Sequence, residues 1–512
     1  MNKQIKKALV TGMSVILAMS AFTGCGVKTA KETDEKPTLK LLMNNITTDP
    51  NTYPVAKMLE EKTGYKVEYD LLPANDPEEN LNLIISSQTP YDGIQILSNL
   101  KSKYVDYAKQ GALLELDELI DEYGPNIKEM LSERSLEVMK VNGKTYGIVT
   151  ANSRIYDENN VMQVAGTATM LSVRTDLMKK MGIDKIPETL DEFTTLLREF
   201  KSKDPAGLGP QNIPLTITAT AEIPGIYGAF GIANEWNEVD GKLVNRAEDP
   251  RYKEYLLYVK SLYDEGLLDT EFPTNKTNTV MEKFTSGKAA MMPMAYYDAA
   301  TVIDSLDSNI SDAEIHYILP VKGENGECGY SYGGTGGGII NRVLVIPAAA
   351  EHPEDMIKWV NAKLDPELFK NIAIGEEGVH YEIKDGEYYP ISPAFYNERS
   401  LSNDFMTGVD EKNYPSYWLA RVRKDSRIYS AYQELNTGDI LTMGRKSPLT
   451  EAPIFDSQSK ESVLKNLVNS FSIQVITGTA SIDDYDTFLK EWRESGGEAL
   501  TAEVNEWYEQ NK

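Results

Sequence analysis

Thr38-Leu39-Lys40-Leu41-Leu42-Met43, then Val55, Ala56 and Leu59 on one face of a segment that stops at Gly64, then Val67, Tyr69 and Leu71 in alternation, decide the fold class of this chain. The first run predicts a strand, the second a helix and the third another strand, because the apolar spacing changes from alternation to a helical period and back. A helix over Leu81 to Ile85 and the run Ile94-Gln95-Ile96-Leu97 follow. Strand, helix, strand, helix, strand is the start of a parallel α/β layer. Such sheets bind ligands in the crevice beyond the carboxyl ends of their strands. The loops at Asn44-Asn45 and Ser98-Asn99 lie there, so Asn44 is a candidate ligand contact.

Farther along, Thr189-Leu190-Asp191-Glu192 reads as a capping box ahead of the apolar stripe Leu190, Phe193, Leu196, Leu197 and Phe200. Tyr252, Tyr255, Leu256, Val259, Leu262 and Tyr263 repeat the stripe on the next long helix, ended by Gly266, and an aromatic stripe at that spacing predicts core. Ser481 to Asp484 caps a last amphipathic helix that carries Ile482, Tyr485, Phe488, Leu489 and Trp492 and is closed by Gly496-Gly497.

The amino terminus carries Lys3, Lys6 and Lys7, an apolar stretch from Ala8 to Phe22, and Thr23-Gly24-Cys25. This predicts a secretory signal over 1–25, with Cys25 the acceptor of a diacylglycerol anchor because a small residue precedes it. Two acyl chains on one Cys hold a protein stably, where a single chain binds reversibly. Residues 26–37 are polar and charged and predict a tether. The only other cysteine is Cys328, so an acylated Cys25 leaves no internal disulfide. No second apolar run is long enough to span a bilayer, and 512 residues with 41% hydrophobic content predict a large protein of two or more lobes. A formal net charge of −26, more negative once the three signal lysines leave, argues against nucleic acid or an anionic membrane surface as a partner.

Three histidines, His316, His352 and His380, leave little for metal or nucleophile chemistry. HExxH and CxxC spacings are absent. Among 78 acidic residues nothing singles out a glycosidase pair. The run Gly333-Gly334-Thr335-Gly336-Gly337-Gly338 is followed by Ile339-Ile340 instead of the Lys-Ser/Thr of a phosphate loop, and reads as close backbone approach or a flexible crossover between lobes.

Several blocks, in order, resemble extracellular solute-binding proteins of family 1. They are Tyr146-Gly147-Ile148-Val149; Arg174-Thr175-Asp176-Leu177 with Pro187 to Phe193; Leu262 to Asp269; and His352 to Trp359. Gly375 to Glu382 and the tail from Ile476-Thr477-Gly478 through Glu503 to Tyr508 are similar to the long lipoprotein branch that includes alginate-oligosaccharide-binding proteins. The resemblance implies a two-lobed periplasmic-binding-protein-like fold of type II, its α/β lobes joined by several crossing segments. These map near Ile148 to Arg154, Met291 to Tyr297 and Gly336 to Val345. The N-terminal lobe is then expected over 38–150 and 292–340, the C-terminal lobe over 151–291 and 341–512. Many members of this branch carry a calcium loop resembling an EF-hand. Here Asp204-Pro205-Ala206-Gly207-Leu208-Gly209-Pro210-Gln211-Asn212 puts Ala206 and Leu208 at oxygen-ligand positions and lacks the closing Glu, so the turn is expected to stand without an ion.

The resemblance implies a receptor, not an enzyme, with no catalytic residue, metal or cofactor. It is expected to sit as a monomer on the outer face of the cell membrane, held there by its lipid anchor alone. It would capture an oligosaccharide between its lobes and deliver it to the permease subunits of an ABC importer. A surface carbohydrate-active enzyme, or a peptide or amino-sugar receptor for a sensor, are the rival readings. Sugars offer apolar C–H faces to aromatic rings and hydroxyls to planar polar groups. Asn152 and Arg154 follow the first crossing, and Tyr296-Tyr297-Asp298 the second. Tyr227 and Trp236 flank a glycine-rich loop, and Tyr417-Trp418 follow Asn413-Tyr414-Pro415-Ser416, which reads as a loop. Each ring fits a cleft or a core equally well. Arg154 and Arg421 favour an acidic sugar only if they leave the surface, where arginines are ordinarily solvated.

Overall fold

The structure, a computed structural model, describes residues 36–151, 167–333 and 340–512. Its main strands are β1 (Leu39–Met43), β2 (Val67–Leu71), β3 (Gly93–Leu97), β4 (Gly147–Ala151), β5 (Thr169–Arg174), β6 (Ile213–Leu215), β7 (Ala289–Ala295), β8 (Ile315–Ile318) and β9 (Ile340–Val345). A five-stranded sheet has the order β2-β1-β3-β9-β4 and a four-stranded sheet the order β8-β5-β7-β6. The expected parallel layer is present: β1 pairs in parallel with both β2 and β3. It is extended by two antiparallel strands, β9 beside β3 with Arg342 opposite Leu97, and β4 beside β9 with Val343 opposite Val149.

Each sheet has its own core. Residues from Leu39 to Ala151 and from Ile340 to Ala420 pack around the first sheet, with Trp359 and Phe369 among the largest buried side chains. The second sheet is covered on one side by the helices Leu190–Lys203 and Pro250–Asp264, whose stripes are buried as their spacing predicts. Thr189 and Glu192 close the expected capping box: the Glu192 amide donates to Thr189 Oγ1 at 3.2 Å, and the Thr189 amide to the Glu192 carboxylate at 3.3 Å. A third cluster, including Met170, Met292, Tyr296, Leu306, Tyr317, Val422 and Tyr432, covers the rest of the second sheet.

This division corrects the expected lobe boundaries. Of the stretch expected to return to the first sheet, residues 292–333 do not, because β8 pairs with β5 and Leu306 and Tyr330 pack in the third cluster. Conversely, β9 and the chain as far as Ala420 belong to the first core, and only from Val422 onward does the chain rejoin the second half. The final passage lies inside the helix Tyr414–Val422. An apolar strand that runs into aromatics looks the same in sequence whether the chain then crosses between lobes or stays with its own sheet, and β7 does the latter, leading through the helix Ala299–Asn309 to β8 on the far side of β5. The crossings expected near Ile148 to Arg154 and Gly336 to Val345 fall partly on residues 152–166 and 334–339, outside the described residues.

Ionic contacts also join the two halves. Glu78, paired within the first half with Lys103 at 2.9 Å, accepts across from Ser462 Oγ at 2.8 Å. Lys109 pairs with Asp456, and Arg134 meets Glu451 at 2.8 Å and donates to the Thr450 carbonyl at 2.6 Å.

Within the second half, Asp269 is buried at the end of the Leu262 to Asp269 block. One of its carboxylate oxygens accepts from Thr216 at 2.7 Å, Asn275 at 2.8 Å and Lys283 at 2.8 Å, and the other from the Glu271 amide at 3.0 Å. Burial pushes this carboxyl up, but Lys283 and the other donors outweigh it and hold it below the ordinary Asp value.

The loop that resembles a calcium site does not fit an ion. Asp204 ends its helix in the left-handed region and spends both carboxylate oxygens on backbone amides, accepting from Leu208 at 3.0 Å and from Gly209 at 2.7 Å. Hard Ca²⁺ wants six to eight oxygens. With Ala206 and Leu208 in the loop, the amides do locally what a cation does elsewhere.

Candidate functional site

The antiparallel additions to the first sheet bring the carboxyl ends of β3 and β4 beside the start of β9. In the second sheet, the carboxyl end of β7 lies beside the start of β5. A cavity of about 510 Å³ opens between these ends. The first half contributes Thr150, Ala151, Arg342 and the segment from Ser400 to Met406; the second contributes Ala168, Tyr296, Tyr297, Lys424 and Tyr432. Trp418, on the helix that passes between the two cores, lines it as well.

The aromatic wall is ordered by edge-to-face packing. Tyr296 is buried, and its ring meets Tyr432 at 5.2 Å and Tyr297 at 5.4 Å. Tyr297 is 58% exposed, far more than a core tyrosine, so its ring is open to a ligand. Trp418 leans on Tyr414 at 6.3 Å and is half-buried.

Of the residues expected to touch ligand, Tyr296, Tyr297 and Trp418 are brought together here. Asp298 is half-buried at the amino end of the following helix, where burial pushes its carboxyl up, and it does not line the cavity. Tyr417 is corrected to core: the expected loop is the helix Tyr414–Val422, and adjacent helical residues point about 100° apart. Trp418 therefore faces the cavity while Tyr417 packs on Tyr388 at 5.5 Å. Tyr227 and Trp236 belong to the second core, Tyr227 tilted against Tyr255 at 4.3 Å with the Arg246 guanidinium 3.8 Å from its ring centre. Asn44 is buried at the end of β1, its Nδ2 without a hydrogen-bond partner among the described residues, and lies outside the cavity lining. Asn152, Arg154 and Cys25 lie outside the described residues.

Arg421 is not the solvated arginine its composition suggests. It is buried, and its guanidinium donates to the carbonyls of Ala373, Arg399 and Ser400 and to the side chains of Ser402 and Asn403. Beside it, Arg342 pairs with Asp404 at 3.2 Å and donates to the Asn403 carbonyl at 3.0 Å. The two arginines thus fix the backbone of the segment that forms one cavity wall. Arg342 carried a usable signal, a lone charge inside the apolar strand Ile340–Val345; Lys424, Tyr432 and Asp404 had none, because nothing local distinguishes them from surface residues.

The sequence profile of the bacterial extracellular solute-binding proteins matches residues 46–367. An uncharacterized protein in the butB 5′ region of Niallia circulans is 38% identical over 263 residues, 51% of this chain and 100% of that protein. The lipoprotein LipO of Bacillus subtilis (strain 168) is 24% identical over 529 residues, 98% of each chain. Among solved structures, the Streptococcus pneumoniae ABC-transporter substrate-binding protein FusA in complex with kestose superposes with a TM-score of 0.73 at 20% identity, over 93% of this chain and 99% of that one. Two α/β halves meeting at an aromatic cavity, and a family match over most of the length, make this chain a member of the bacterial extracellular solute-binding protein family, a binding protein and not an enzyme.

Proposed function

We propose that the protein captures an oligosaccharide in the cavity between its halves and delivers it to the permeases of an ABC importer. The observation that carries this reading is the pairing of Tyr296 and Tyr297 from the second half with Trp418 beside the first, across a cavity of about 510 Å³. Ring faces suit the apolar C–H faces of sugars, and Asn341, Asn403, Asn436 and Asp404 supply planar hydrogen-bonding groups for hydroxyls. FusA, with its bound kestose, supports a sugar ligand for this fold. Contacts from both halves favour a closed arrangement, since a ligand shifts such an equilibrium only by binding one state better.

The test is a thermal-shift screen of plant and algal oligosaccharides, followed by titration of the best ligand. Tyr297→Ala and Trp418→Ala should each weaken binding by roughly 1–3 kcal/mol, tenfold or more, from lost stacking and burial. Tyr297→Ala should leave the melting temperature almost unchanged because the ring is exposed. Unaltered affinity in both variants would remove this cavity from the binding site.

The reading extends to a lipid anchor at Cys25, supported by the Gly24-Cys25 junction behind an apolar stretch and by the lipoprotein relative. Cys25→Ala should release the protein from the detergent phase into the aqueous phase on partitioning. Retention of the variant in the detergent phase would overturn the assignment.

A further inference from the structure

Among the described residues two aromatic side chains are exposed, Tyr297 and, at 53%, Tyr396. Tyr297 lines the cavity; Tyr396 lies just outside it, on the helix Ala394–Arg399. Ser400, four residues on and still helical in its backbone, lines the cavity, as does Leu401. Residues four apart share a helix face, so Tyr396 stands about 6 Å along that face from the cavity wall. A second neighbour gives the same placement: Lys424, which lines the cavity, holds its ammonium 6.0 Å from the centre of the Tyr396 ring. The fold has no evident use for this ring. Among the described residues its hydroxyl makes no hydrogen bond and its face meets no other aromatic. Phe395 and Arg399 hold the helix instead: Phe395 is fully buried, and Arg399 donates to the carbonyl and to the Oδ1 of Asn371, each at 3.0 Å. The helix end is pinned as well, since the Arg399 and Ser400 carbonyls accept from Arg421 at 2.8 and 3.0 Å.

A single exposed ring elsewhere on the surface needs no explanation. This one continues a cavity wall, on a helix already fixed by its buried neighbours, so a ligand that stacks on it orders little that is not ordered beforehand. Ser400 and Lys424 mark the side of the cavity from which a sugar chain would pass over the ring. We propose that Tyr396 is an outer subsite, on which an oligosaccharide held in the cavity stacks a further unit after leaving it; the inference rests on the sugar-binding reading above. The ligand is then a chain that outgrows the cavity, and Tyr396 makes affinity depend on its length. Lys424, between cavity and ring, is placed to donate to a hydroxyl of the passing chain.

The experiment titrates size ladders, from the disaccharide upward, of fructan, xylan, galactan, mannan, galacturonan and alginate into the full-length protein. In the ladder that binds, affinity should rise by about three- to tenfold at the length where the chain first reaches the ring, the gain expected of one aromatic contact. Tyr396→Ala should remove that step and leave the shorter members within about twofold of wild type, because the change lies outside the cavity they occupy. Its melting temperature should equal that of the wild type, as the ring is exposed and packs on nothing apolar. Tyr396→Trp should keep the step, since a larger ring still stacks. Tyr297→Ala serves as the contrast and should weaken every length alike. A ladder that binds without a step, a step that survives in Tyr396→Ala, or a loss in that variant that is equal at all lengths overturns the outer subsite and leaves the sugar-binding reading standing. If no ladder binds at any length, both fall.

Discussion

Arg421→Met should lower the stability of the protein by about 3–5 kcal/mol, the range expected when one member of a buried, charged hydrogen-bond network is removed. The guanidinium supplies five donor contacts, and three of the acceptors are main-chain carbonyls, those of Ala373, Arg399 and Ser400. The methionine side chain donates to none of them, so three buried carbonyls lose a partner at once. Burial also holds the guanidinium below the ordinary Arg value, a sign that it is kept in place by these acceptors and not by a carboxylate. Arg421→Lys should recover little, because one compact ammonium does not span acceptors set around a planar fork. Urea unfolding measures the loss, and ligand titration alongside it should show weaker binding, since the segment pinned by Arg421 forms a cavity wall. A loss below about 1 kcal/mol would show that the carbonyls find water or other donors.

Asp269→Ala is the second large effect, about 3 kcal/mol at neutral pH. Thr216 and Asn275 lose a shared buried acceptor, while Lys283 keeps the Asn275 Oδ1 at 3.1 Å and Glu271, which is exposed. Because the fold lowers the Asp269 value, the stability it supplies is fully present above the unfolded value of about 3.9 and is lost as pH falls through the lower folded value. The gap in urea midpoint between the wild type and Asp269→Ala should therefore be constant near neutrality and close in strong acid. A gap that persists unchanged into strong acid would mean that packing, and not the charge, sustains the site.

The sequence announced those parts of the fold that depend on local periodicity. The alternation at Leu39 to Met43, the stripe from Phe193 to Phe200 and the cap at Thr189 are short-range patterns, and each stands where its spacing put it. The lobe boundaries were not legible, because they depend on which distant strand β7 and β9 choose, and both read only as apolar runs. In the site, Tyr296, Tyr297 and Trp418 could be anticipated from aromatics after a strand end and in a polar segment. Tyr417 was misplaced for want of one fact, the helical phase that turns it away from its neighbour. Tyr227 and Trp236 show the opposite error, since a glycine-rich flank says nothing about whether a ring faces out or in.

The order of strands in the first sheet also constrains how the chain acquires its shape. β1, β2 and β3 are close in sequence, but the free edge of β3 is covered only when β9 arrives, and Gln95 reaches a partner carbonyl, that of Asp404, 309 residues away. Until then the emerging amino-terminal half holds an open, strongly apolar strand edge, Ile94 and Ile96 among its residues, of the kind that pairs indiscriminately with other chains. The strands of the second sheet, β5 to β8, all lie between β4 and β9 in the chain, but the cores around them are completed only by residues from Val422 onward. Non-local closure of this kind is slow. The cavity is therefore incomplete until β9 and the segment from Ser400 to Met406 are in place, because they form one of its walls.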